Sequence, residues 1–252
     1  MFAKSALCLA ALAALSTVSG QSASAAVITI SSHVADGIIQ NGNAQDAGEG
    51  EMRVGLLGGS NFRVVILMFQ LPVLAPGDTV TNAVLNTRFG DTSGPGFNPS
   101  TPPLFNVDLY ATRVAAGLGI NNGLDWGFGA SPPALPALTG TLIQNDLVTP
   151  STVLGGNELI STDATGNANL LSYINSNYVA GSYVYLRLNP DVAQTNAAIG
   201  GDDAAYRVYS ANWTSGGSRV AQLELTTVIP EPATLGLVGL AATLGMARRR
   251  RA

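Results

Sequence analysis

Proton transfer near neutral pH needs a histidine or a perturbed carboxylate, and covalent catalysis needs a nucleophile beside a base. The chain has one histidine, His33, set behind Ser31 and Ser32, and one cysteine, Cys8, inside an N-terminal apolar run. His33 in that setting reads as a surface residue. Paired carboxylates could serve a glycosidase or lyase, but the acids are scattered over turn-rich stretches and no spacing selects a pair. No catalytic residue is assigned, and the chain is expected to be non-enzymatic.

Binding chemistry is better represented. The stretch from Asn41 through Asp46 and Glu49 to Glu51, and the pair Asp202-Asp203 after two glycines, offer hard oxygen ligands. Calcium takes six to eight of these, so a calcium site is one expectation. Neither stretch has the spacing of an EF-hand or a glycine-rich nonapeptide, and two solvated acidic loops are the alternative. Trp126 in Leu-Asp-Trp-Gly-Phe-Gly and Trp213 in Ala-Asn-Trp-Thr-Ser-Gly are candidate flat platforms for the CH face of a sugar ring. Each could equally fold down as a lid on the core.

Charge narrows the partners. Without Lys4, Glu231 and the terminal arginines, seven arginines face fifteen acids, so the body carries a charge of about −8 and no lysine. Such a surface repels phosphate backbones, which excludes nucleic acid as a partner. Charged residues are only 11% of the chain, while Gly, Ser, Thr and Asn abound, a composition that suits an exported β protein. With Cys8 alone there is no disulfide framework, so stability must come from an extensive apolar core.

The ends carry addresses. Lys4, the apolar run Ala6 to Leu15 and then Ala23-Ser24-Ala25 form a secretory signal peptide over residues 1–25, with Ala23 and Ala25 as the small residues of the cleavage site. At the other end Ala233 to Ala247 is uncharged but would extend only about 22 Å as a helix, short against about 30 Å of hydrocarbon. Arg248, Arg249, Arg250 and Arg251 would hold as a stop-transfer signal on the cytoplasmic side. Pro230 and Pro232 keep Glu231 extended, the backbone shape that proteases bind.

An extended tripeptide, a marginal span and a basic stop closely resemble the PEP-CTERM sorting signal of Gram-negative bacteria that make extracellular polysaccharide. The resemblance implies a C-terminal hydrophobic sorting helix in residues 228–252, transient residence in the inner membrane, and processing by an exosortase. It also implies delivery to the cell surface or extracellular matrix.

Between the ends the dominant period is two. Phe62–Leu71 is almost wholly apolar, as expected of a strand covered on both faces. Thr79–Phe89 alternates, with Ala83, Leu85, Thr87 and Phe89 inward. Phe105–Ala111 places Phe105, Val107 and Leu109 inward with Asn106, Asp108 and Tyr110 outward. Tyr183–Leu188, Arg207–Ser210 and Val220–Thr226 follow, the last with Ala221, Leu223 and Leu225 inward. One helix is expected over about Asn167 to Asn177, with Leu170, Leu171 and Ile174 on one face and Thr165 or Asn167 as cap. The expected fold is all-β: an antiparallel, jelly-roll-like β-sandwich with one short helix, as a single domain over residues 26–227.

The succession Ala35-Asp36-Gly37, Met52-Arg53-Val54-Gly55, Arg63 to Leu71 and Pro76 to Leu85 resembles the DNRLRE β-sandwich domain. Val107-Asp108-Leu109-Tyr110 and Arg219 to Leu225 fit as well, whereas Gln70 and Val220 depart from the family's pattern. Such domains are similar to a group of carbohydrate-binding modules.

The sequence therefore points to an exosortase-sorted surface or matrix protein associated with exopolysaccharide and biofilm. The alternative is a carbohydrate-binding module for matrix polysaccharide, with or without calcium. A secreted polysaccharide-active enzyme is the third reading and has no catalytic inventory behind it.

Overall fold

The computed structural model describes residues 25–45, 51–57, 61–90, 103–127, 139–152, 154, 158–191, 204–212 and 220–228. The chain divides into two units, Val27–Thr227 and a second that comprises Met1–Ala26 and Val228–Ala252. The first unit, with the strand ends that border it, is described below.

The strands are β1 (Ala25–Ser31), β2 (Gly37–Gln40), β3 (Asn43–Gln45), β4 (Glu51–Leu57), β5 (Asn61–Gln70) and β6 (Thr79–Gly90). They continue with β7 (Val107–Ala115), β8 (Thr141–Val148), β9 (Glu158–Ser161), β10 (Tyr183–Pro190), β11 (Ala205–Tyr209) and β12 (Gln222–Val228). Helix α1 is one turn, Asn122–Asp125, and α2 spans Ala164–Asn177. The architecture is mostly antiparallel β with few helices, as the period-two pattern predicts. Hydrogen-bonded neighbours run β1-β12-β6-β11-β4-β5-β10-β7-β8, with β2 and β3 attached beside β5 and β9 beside β6.

β5 is central because its middle, from Val64 to Phe69, carries no polar side chain. Val64 to Phe69 are all fully buried, and antiparallel neighbours flank both of its edges, β2 on one side, β4 and then β10 along the other. A strand covered on both faces loses the alternation and becomes a continuous apolar run. The sheet also curls back on itself. β9 pairs with β6 and touches β8 from the far end of the path, while α2 packs on β6, β7 and β8. Along β6, Ala83, Leu85, Thr87 and Phe89 are buried as predicted, and so are Ala221, Leu223 and Leu225 at β12. Tyrosine hydroxyls pin loops to this core: Tyr185 donates to the Gly117 carbonyl at 2.7 Å and Tyr206 to that of Phe105 at 3.1 Å.

Four expectations change. Asp108 and Tyr110, placed outward by the alternation of β7, are buried, since the second face of that strand is also covered. Helix α2 starts three residues before the expected Asn167, and its cap is Asp163, whose carboxylate accepts from the Gly166 amide at 2.7 Å. Thr165 and Asn167 lie inside the helix. The first part of the supposed calcium loop is a β-hairpin: Gln40 pairs with Asn43, and Asn41 and Gly42 take φ of 49° and 82°. Asn-Gly with both φ positive is the two-residue turn whose twist matches antiparallel strands. Finally, α1 has no precedent in the sequence reading; the Asn121 side chain caps it by accepting from the amides of Gly123 and Leu124.

Among the described residues no helix is long and apolar enough to cross a membrane. The expected signal peptide and the C-terminal sorting helix lie outside the described residues.

Candidate functional site

A groove of about 380 Å³ runs between α2 and the edge strand β8. Helix α2 carries two faces. Gly166, Leu170 and Ile174 are buried, which seats the helix on the sheet. Asn169, Ser172, Tyr173, Ser176 and Asn177, stepping by three and four, form the adjoining face and line the groove. Thr141 and Leu142 of β8 form its other wall. No charged side chain lines it.

The walls are tied together. Asn169 Nδ2 donates to the Ile143 carbonyl at 2.9 Å, and the Asp163 amide donates to Gln144 Oε1 at 2.9 Å. Asn175 Nδ2 donates to the Val80 carbonyl at 3.2 Å, fixing the C-terminal half of the helix to β6. Gly166 sits against the Gln144 side chain of the second contact, which a Cβ at that position would overlap. Tyr173 packs against the core, and its hydroxyl is pushed above the ordinary tyrosine range by burial. Among the described residues the hydroxyls of Thr141, Ser172, Tyr173 and Ser176 have no hydrogen-bond partner, and all four residues line the groove.

Beneath this end of the sheet lies a buried polar layer. Asp125, fully buried at the end of α1, receives Nε and NH2 of Arg113 at 2.9 and 2.8 Å. It also receives the Thr112 hydroxyl at 2.8 Å and the Asn121 amide at 2.7 Å. The Arg113 guanidinium lies 3.5 Å from the centre of the Tyr185 ring. Arg187 of β10 is fully buried and donates to the carbonyls of Asp125 and Thr139 and to Asn189 Oδ1. Burial lowers its pKa to about 10. These groups hold loops to the sheet, and their donors and acceptors are committed there.

A second polar cluster joins Asp108 on β7, Asp146 on β8 and Asp191 after β10. Asp108 Oδ1 accepts from the Asp146 amide, while Asn106 donates its side-chain amide to Asp146 and its backbone amide to Asp191. Burial raises the Asp108 pKa to about 6, with the charges of Asp191 and Asp146 adding to the shift. Among the described residues no three His, Cys, Asp or Glu side chains are arranged to hold a metal ion.

The sequence-predicted residues are dispersed. Trp126 is only 5% exposed, and its ring meets Phe62 edge to face at 5.9 Å between centroids, so it plugs the core instead of offering a face to a ligand. Glu51 forms an ion pair with Arg207 at 3.1 Å. His33 Nδ1 accepts from the Ala35 amide, and its ring stands edge-on to Tyr183. Trp213, Asp46, Glu49, Asp202 and Asp203 lie outside the described residues. The apolar spacing of α2 points only to its buried face; the polar face at Asn169, Ser172, Tyr173, Ser176 and Asn177 is visible in the sequence, but its juxtaposition with β8 is not.

No described side chain names the protein's role, and the deciding observation lies at the chain's end. Residues 228–251 match the PEP-CTERM protein-sorting motif. The PEP-CTERM motif begins at Val228, the last residue of β12, and takes in Pro230, Glu231, Pro232 and the four arginines. It marks the chain as an exported protein targeted to exosortase, with delivery to the cell surface or outside the cell. A comparison with curated proteins finds no match to the chain.

Proposed function

We propose that this chain is a non-enzymatic protein of the cell surface or extracellular matrix, working within exopolysaccharide and biofilm. The observation that carries this reading is the PEP-CTERM motif placed immediately after the last strand, so that the folded body is handed to exosortase by its final residues. The export route begins with a signal peptide cleaved after Ala25, and processing leaves a C-terminus near Pro232. The curled antiparallel sheet is read as a jelly-roll-like sandwich of the DNRLRE type over residues 26–227. The non-enzymatic reading is supported by where the chemistry-bearing groups go: Asp125 is bound by Arg113, Glu51 by Arg207, and His33 serves a turn.

The neutral groove beside α2 favours a second reading, a module that binds matrix polysaccharide, with or without calcium. Mass spectrometry of the protein recovered from the surface or matrix of producing cells tests the first. The expected C-terminus lies near Pro232, in the polysaccharide-containing fraction. Surface-exposed protein that still carries Arg248 to Arg251 would sink the sorting reading, and recovery only from the cytoplasmic or periplasmic fraction would sink the matrix role.

A further inference from the structure

We infer that the groove between α2 and β8 is a binding site for a neutral polysaccharide chain, which rests on the matrix reading above and gives it a ligand class. A pyranose is amphipathic: its CH face wants an apolar surface and its hydroxyls want paired donors and acceptors. The groove supplies both. Tyr173 and Leu142 give apolar area, and Leu142 is 43% exposed. Around them stand the open hydroxyls of Thr141, Ser172 and Ser176 and the amides of Asn169 and Asn177. The Nδ2 groups of both asparagines are held by the carbonyls of Ile143 and Tyr173, which leaves their Oδ1 atoms as acceptors in fixed positions.

Charge selects the class of glycan. The lining holds no arginine, lysine or histidine to pair with a uronate or sulfate, and the body carries a charge of about −8. An anionic chain would be desolvated without a partner and repelled at distance. A neutral chain meets neither cost. The volume is at the small end of ligand sites, which span roughly 300–1,000 Å³. Its face on α2 runs from Asn169 to Asn177, about 12 Å along the helix, a length suited to a short run of sugar units. The helix is bolted to β8 and β6 before any ligand arrives, so little ordering remains to oppose binding.

The test is an array of neutral gluco-, manno- and galacto-oligosaccharides beside uronate oligosaccharides, probed with the protein recovered from producing cells. Tyr173→Ala and Ser176→Arg variants are run in parallel. Wild type is expected to bind neutral oligosaccharides, and Tyr173→Ala to weaken binding at least tenfold with its far-ultraviolet circular dichroism intact. Ser176→Arg, at an exposed helix position, blocks the groove without touching the core and gives the same readout if Tyr173→Ala fails to fold. Binding that survives both variants, binding confined to uronate chains, or no binding at all overturns the inference. The matrix reading stands or falls separately, on the fraction and C-terminus of the recovered protein.

Discussion

Arg113 and Asp125 meet as a fork on a fork, with Nε to Oδ1 at 2.9 Å and NH2 to Oδ2 at 2.8 Å, and the Asp125 side chain is fully buried. The two parallel bonds fix the α1 turn to β7 and to the Tyr185 ring beneath. Removing the cation strands a carboxylate inside the protein, and an uncompensated buried charge is costly. Arg113→Met is expected to lower stability by about 3 kcal/mol, measured by urea denaturation. The double variant Arg113→Met with Asp125→Asn should recover part of that loss. If it is no more stable than the single variant, the cost comes from packing and not from the stranded charge.

Asp36 sits fully buried between β1 and β2, with Oδ1 accepting from the Met68 amide at 2.7 Å. Burial raises its pKa from 3.8 to about 8, against opposing pulls from the Ser32 hydroxyl and the backbone at Met68 and Ala211. Between those two values the folded state holds a proton that the unfolded chain has lost. Stability therefore falls as pH rises through that window and levels off above it. Asp36→Asn keeps the acceptor for Met68 and removes the titration. The variant should gain on wild type steadily from pH 4 to pH 8, by an amount on the order of a few kcal/mol, in paired denaturation series. A constant difference across that range would mean that Asp36 does not titrate there.

Gly127 has φ of +75°, and a Cβ at that position would collide with the Arg187 guanidinium. The guanidinium cannot retreat, since it is buried and held by the carbonyls of Asp125 and Thr139. Gly127→Ala is expected to cost about 3 kcal/mol by crowding and left-handed strain together. Thermal unfolding reads it; an unchanged midpoint would show that the Arg187 pocket has slack.

Trp126 as a core plug makes a prediction opposite to Trp126 as a sugar platform. Trp126→Ala should cost about 3–5 kcal/mol of stability, seen in the denaturation midpoint. A variant of wild-type stability would return the ring to the surface.

Helix α2 depends on its cap. Asp163→Ala removes the acceptor for the Gly166 amide, and a loss of about 1 kcal/mol is expected. The backbone amide of Asp163 still donates to Gln144 in this variant, so amide exchange should accelerate in the first turns of Ala164–Asn177 before it does in β8 or β5. Uniform acceleration across the sheet would separate the cap from the groove.

What the sequence determined by itself is what depends on local chemistry. The almost wholly apolar segment Phe62–Leu71 reads as a strand covered on both faces, because the side chains from Val64 to Phe69 all favour leaving water. The Pro-Glu-Pro, the apolar stretch and the terminal arginines form a linear address read in extended chain, and no folding is needed to recognise it. Tertiary structure decided the rest, because burial depends on neighbours far away in sequence. It turned Trp126 onto Phe62, gave Glu51 to Arg207, and covered both faces of β7 so that Asp108 went inside. It also laid the polar face of α2 beside β8, joining residues about thirty positions apart into one groove that period and spacing along the chain do not reveal.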